Sequence, residues 1–290
     1  MRDVVLVFSF ILSLPTVFIR PWIGLIIWTV FSYLNPHRMC FGFAARFPFA
    51  AITAAVTICA LIIHRQLRPF KLNSAVVLLV LLIAWTNITY LFALNPEDAS
   101  VEWSRFMKIQ LMGFVTMAAI TEFRKLQVLI WATALSIAFF GVKGGLFTLA
   151  TGGQHHVIGP PSTFIADNNN LALALVMTLP LLRYVQLTSR RRWVRFALGG
   201  MMALCVVSVM GSYSRAGVLS MGVVVIMTVL KSRHKAVLAV AGAICLLAGV
   251  AFMPIAWQQR VQSINNYEQD ASSLGRINAW NFAGSSAAGS

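Results

Sequence analysis

Apolar runs of 14–22 residues recur along nearly the whole chain, and they decide what it can fold into. A helix needs about 20 residues to cross hydrocarbon, with a lower limit near about 17. A β-barrel would instead need short segments of alternating polarity, and the sequence has none. Composition agrees. Hydrophobic residues make up 59% and charged residues 11%, with a mean hydropathy of +0.79. A soluble protein carries about 25% charged residues. The fold class that follows is all-α, a polytopic transmembrane helical bundle.

About ten spans are expected, at 4–19, 21–34, 47–63, 75–94, 106–120, 126–142, 169–187, 194–213, 216–230 and 236–257. The first two nearly abut and read either as a tight hairpin or as one span beside an interfacial helix. They do not read as a secretory signal, because no small-residue cleavage site follows and Arg20-Pro21 is a poor one. Residues 1–257 form one transmembrane domain on this reading, and 258–283 begin a polar, periplasmic loop domain. The run of small residues at 284–290 reads as a linker or cloning scar, and the natural chain is expected to continue.

The net charge of +15 raises the question of nucleic acid. The basic residues, however, sit in short loops between apolar spans rather than on one soluble face. Membrane topology and anionic lipid explain them better. Arg65, Arg68 and Lys71 occupy one loop, and Arg124 and Lys125 a second. Arg190, Arg191, Arg192 and Arg195 fill a third, and Lys231, Arg233 and Lys235 a fourth. Only Glu122 opposes them. The alternate loops are longer and mix Arg38, Arg46, Arg105, Lys108, Lys143, Arg215, Arg260 and Arg276 with six carboxylates. The dense basic loops should face the cytoplasm, which puts Arg215 outward. Trp103, Trp193 and Trp257 sit at span ends as interfacial anchors, and Trp28, Trp85 and Trp131 read as packing residues. Cys59, Cys205 and Cys245 lie in apolar spans and Cys40 in a loop, which gives no disulfide framework.

Arg215 lies in Gly-Ser-Tyr-Ser-Arg-Ala-Gly (211–217), a hydrophilic pinch between two apolar runs. It reads either as a snorkelling anchor or as the ligand of an anionic headgroup, since a planar fork of donors matches phosphate oxygens. Arg105 and Lys108 are spaced to share one helix face and fit a phosphate, or the nearby Glu97, Asp98 and Glu102. Asp167-Asn168-Asn169-Asn170 opens an apolar helix. The first two are expected as N-caps, while Asn169 and Asn170 are candidate polar lining of a site. His155 and His156 are adjacent, so their side chains diverge, and no metal-ligand spacing surrounds them. No metal or other cofactor is expected.

Several of these segments resemble a known family. Met-Arg-Asp at the start, Arg-Pro-Trp-Ile-Gly (20–24), Tyr-Leu-Asn-Pro-His-Arg (33–38) and Gly-Pro-Pro with Asp-Asn-Asn (159–169) resemble the O-glycosylation ligases associated with exosortase systems. Those belong to the bacterial O-antigen ligase and polymerase superfamily. Ser-Tyr-Ser-Arg-Ala-Gly (212–217) and Gly-Arg-Ile-Asn-Ala-Trp (275–280) resemble that superfamily's two arginine motifs. The resemblance implies metal-independent glycosyl transfer at the periplasmic face of the bacterial inner membrane. The donor would be a glycan on undecaprenyl pyrophosphate, and the acceptor a glycan, a lipid-A core sugar or a protein hydroxyl. Carried over by motif, Arg215 and Arg276 would bind the pyrophosphate and stabilise the charge of its departure. The family's histidine base lies further along the loop than this sequence reaches. The chain as given is therefore expected to be a truncated, inactive piece of a ligase that still binds donor. A polysaccharide polymerase and a lipid-glycan flippase are the alternatives.

Overall fold

A computed structural model describes residues 2–40, 42–68, 73–231, 274–275 and 278–282. Among them regular structure is helical throughout: α1 (Arg2–Ile19), α2 (Pro21–Tyr33), α3 (Phe49–Ile63), α4 (Ser74–Leu91), α5 (Pro96–Ala119), α6 (Phe123–Ala150), α7 (Asn168–Thr188), α8 (Arg192–Gly211) and α9 (Arg215–Lys231), with two short 3-10 turns, Pro36–Met39 and Phe43–Arg46, between α2 and α3. The span expected at 236–257 lies outside the described residues, as does most of the loop domain expected at 258–283.

The helices fall on the expected spans, but their lengths do not yield ten crossings. Five of those described, α1, α4, α6, α7 and α8, are long and apolar enough to span a membrane. They make this a membrane protein. The apolar α2 and α3 have 13 and 15 residues. At about 1.5 Å per residue both fall short of a ~30 Å hydrocarbon core. α5 is long, with 24 residues, but it carries Glu97, Asp98, Glu102, Arg105 and Lys108. The count of ten is therefore not confirmed.

The chain divides into two compact units, residues 1–139 with 181–191, and residues 140–180 with 192–290. In the first unit α1 and α2 form the hairpin, with only Arg20 between them. Asp3 Oδ1 accepts from the backbone N–H groups of Gly42 (3.1 Å) and Ala44 (3.2 Å), tying the start of α1 to the loop before α3. At the other end His64 Nε2 bonds Phe18 O at 2.9 Å. α1 and α3 are thus parallel, with α2 running back between them. Pro21 opens α2, where its missing N–H costs nothing. A Cβ on Gly24 would overlap Thr57 of α3 and Val17 of α1, so only glycine lets the three helices meet. Phe10, Phe31 and Phe49 form one aromatic core, with ring centroids 4.8–5.4 Å apart. Leu25, Leu61, Met112, Val115 and Ala119 form a second, which binds α5 to α2 and α3.

Trp103 donates to Asn87 Oδ1 at 3.2 Å and stacks on Tyr90 at 4.9 Å, packing α5 on α4. Trp85, expected to be packed, is 64% exposed on α4. The spacing of apolar residues did not distinguish its face, because α4 is apolar all round.

His37 sits in the first 3-10 turn with its pKa pushed below the ordinary value, by burial first and by the Arg38 guanidinium second. Such a histidine binds fewer protons folded than unfolded. Its contribution is therefore intact above the ordinary value of about 6.5 and is lost as pH falls below it. The unfolding midpoint in detergent should drop between about pH 7 and pH 5, and His37→Gln should flatten that drop. An unchanged slope in the variant would remove His37 from the account.

Candidate functional site

The second unit is organised around Gly211–Arg215, the turn between α8 and α9. α8 reaches this turn along a closely packed face of α6. A Cβ on Gly145 would overlap the backbone carbonyl of Leu204. One on Gly144 would overlap Ser208 Oγ, and one on Gly141 would overlap Cys205 Sγ. Small residues at this spacing let helix backbones approach within a membrane. At the top of the contact Gly211 takes the same role against Thr148.

The turn is bonded on every side. Val157 N donates to Gly211 O at 2.9 Å. Asn168 Nδ2 donates to Ser212 O at 2.9 Å. Ser212 Oγ donates to Val209 O (2.7 Å) and accepts from Ser214 N (3.2 Å). Ser214 Oγ donates to Asn169 Oδ1 at 2.7 Å and accepts from Gly217 N at 2.9 Å. Ser214 is therefore the N-cap of α9. Gly217 in turn allows the first turn of α9 to lie on Ala172 of α7. Ser212 and Ser214 are buried, at 0% and 1% exposure.

Tyr213 is held at φ +54°, in the left-handed region. That conformation costs a side-chain-bearing residue about 1 kcal/mol or more. The Tyr213 hydroxyl donates to Gly153 O, and the ring packs on His156 with centroids 4.4 Å apart, which helps to keep it there. His156 is thus near the turn although no motif pointed to it, while His155 packs against Phe147, 6.3 Å between centroids.

All this fixes the position of Arg215, the first residue of α9, whose side chain is exposed. Asp167 caps α7, accepting from Asn169 N (2.9 Å) and Asn170 N (3.4 Å). Asn168, expected as a cap, reaches across to Ser212 instead. Asn169 holds Ser214, and Asn170 is exposed. Arg105 and Lys108 are exposed on α5 in the first unit, where Arg105 forms an ion pair with Glu102 at 2.7 Å. Arg276 lies outside the described residues. No cluster of three potential metal ligands occurs among the described residues.

Asn169 carries a direct prediction. Asn169→Leu leaves the buried Ser214 hydroxyl without its acceptor, at a cost of about 1–3 kcal/mol. The unfolding midpoint of the purified protein should fall, and Asn169→Asp, which keeps the acceptor, should restore most of it. Equal losses in both variants would mean that the asparagine's shape, not this bond, holds the turn.

Residues 1–190 match a family of unknown function, DUF5935. The chain belongs to that family. Beyond the DUF5935 region, residues 200–287 match the O-antigen ligase family. That stretch contains Arg215 and Arg276, and it supports membership of the O-antigen ligase superfamily and a glycosyl-transfer role of the ligase or polymerase kind. A lipid-linked glycan donor and a glycan acceptor follow in general terms. No curated protein and no solved structure matches the chain.

Proposed function

We propose that this DUF5935 protein transfers a glycan from undecaprenyl pyrophosphate to an acceptor hydroxyl, as a metal-independent ligase at the periplasmic face of the bacterial inner membrane. The observation that carries the reading is the placement of Arg215 at the first position of α9. A helix N-terminus already has a positive potential, and a cation there is unfavourable by about 0.3–1 kcal/mol. Stability alone would favour Asp or Glu at this position. An arginine beside the first-turn N–H groups instead concentrates positive charge where an anion can reach it. A pyrophosphate meets that demand, because the guanidinium fork matches two of its oxygens.

In the reaction the acceptor hydroxyl attacks the anomeric carbon of the first sugar and passes its proton to a general base. The bond to the pyrophosphate oxygen breaks, and the electron pair leaves with the lipid pyrophosphate. Arg215 and Arg276 would neutralise that growing charge. Asn169, through Ser214, is a positioning residue for Arg215. Arg105 and Lys108 are proposed as further phosphate ligands. The acceptor would be a glycan, a lipid-A core sugar or a protein hydroxyl. Transfer to a second lipid-linked glycan would make the protein a polymerase, with the same donor chemistry.

The test is the fate of the donor in cells that attach the glycan through this protein. With Arg215→Ala, glycan-loaded undecaprenyl pyrophosphate should accumulate on the outer leaflet. Accumulation on the cytoplasmic leaflet would overturn the proposal and indicate a flippase.

A further inference from the structure

The first unit contains a cavity of about 1200 Å³ whose lining includes neither Arg215 nor any other residue of its turn. Its wall comes from α2, the two 3-10 turns, α3 and α5. Its chemistry is divided. Arg38, Arg46, Arg105 and Lys108 all line it, with no acidic side chain among the lining residues. Most of the remainder is apolar, including Trp28, Ala55 and Met112. The four cations are exposed, so their side chains can turn toward a ligand. Glu102 offsets only Arg105. His37 also lines the cavity, with a buried Nδ1 that lacks a hydrogen-bond partner.

We infer that this cavity is a binding site for a membrane lipid with a phosphate-bearing head, the head among Arg38, Arg46, Arg105 and Lys108 and the start of its chain along α3. The inference deepens the phosphate role given above to Arg105 and Lys108, and it is independent of Arg215. Charge complementarity selects the head. Several like charges around one opening repel one another, and an anion with several oxygens relieves that repulsion, most strongly with bidentate arginines. The apolar wall selects the rest of the ligand. A free phosphate would leave that wall wet, whereas a lipid chain covers it and gains from the apolar area removed from water. The site is built on Asn35-Pro36-His37-Arg38. Asn35 is in the left-handed conformation (φ +47°), with its Nδ2 bonded to Ser32 O at 2.8 Å. That geometry turns the chain sharply out of α2 into the 3-10 turn that carries Arg38. Asp3 pins the second turn, which ends in Arg46. Both arginines thus stand on braced backbone rather than on a free loop.

The experiment measures binding to the detergent-purified chain carrying Arg215→Ala, so that Arg215 cannot supply the signal. Three probes are compared: dioleoyl phosphatidic acid, dioleoylglycerol with the same chains and no phosphate, and inorganic pyrophosphate. Phosphatidic acid should bind saturably. Dioleoylglycerol should bind at least about tenfold more weakly, the loss expected when charge-assisted bonds are removed. Pyrophosphate should not bind over the same concentrations. Adding Arg46→Gln with Lys108→Gln should weaken phosphatidic acid by about tenfold or more without moving the unfolding midpoint. Adding Ala55→Phe, at an exposed position on the apolar wall, should weaken it as well. Equal binding of the two lipids would overturn the assignment of the head. Pyrophosphate binding as tightly as the lipid, or an Ala55→Phe variant that binds normally, would overturn the assignment of the chain. Undiminished binding in the Arg46, Lys108 variant would overturn the site itself.

Discussion

Arg215→Ala should reduce glycan transfer by about 10²–10³-fold, the range seen when one preorganised donor to a developing charge is removed. The unfolding midpoint should meanwhile stay level or rise slightly. The two effects come from the same placement. At the first position of α9 the guanidinium adds to the positive end of the helix, so its removal relieves an unfavourable term of about 0.3–1 kcal/mol. The hydrogen bonds of Ser212, Ser214, Asn168 and Asn169 hold the turn itself. Arg215→Lys keeps the charge but loses the fork, and it should recover only part of the rate. Transfer assays paired with thermal unfolding read both outcomes. A variant that loses stability and activity together would make Arg215 a structural anchor, the other reading its sequence allows.

Gly145→Ala should damage the protein from the opposite direction, through the fold. The added Cβ would run into the backbone carbonyl of Leu204, which cannot move aside as a flexible side chain could. α6 and α8 would have to separate, at a cost of about 1–3 kcal/mol for a methyl group forced into a closed contact. The effect should reach the site. Val157, beyond the end of α6, holds Gly211 at the end of α8, and that bond lengthens as the helices part. The purified variant should unfold at lower temperature and show reduced transfer, while Gly113→Ala, where a Cβ meets nothing within 4 Å, should behave as wild type. An unchanged midpoint for Gly145→Ala would mean that the α6–α8 approach is looser than described.

The helices were legible in the sequence because long apolar runs have few alternatives. The positions of α7, α8 and α9 differ from expectation by a few residues at most. The run expected at 106–120 begins instead at Pro96, since a proline at the first turn and Glu97 and Asp98 beside it suit a helix start that hydropathy alone does not see. Arg215 was legible as an isolated charge between apolar runs. Its surroundings were not. Asn168 looked like a cap by its position, yet its side chain bonds Ser212, 44 residues away. Such pairs leave no periodic trace. The left-handed Tyr213 and its contact with His156 were hidden for the same reason: both depend on a loop of 151–167 that spacing and composition leave undetermined.

The bonds that hold the turn have a consequence for how this protein can be taken apart. Asn168, Asn169, Val157 and Gly153 belong to the segment matched by DUF5935, and Gly211 to Ser214 belong to the segment matched by the O-antigen ligase family. The arginine of one family is thus aimed by the asparagines of the other. A hybrid made by exchanging sequence at the seam near residue 190 would pair each turn with a foreign cradle. One that carries residues 140–180 along with the C-terminal segment keeps the cradle and its arginine together.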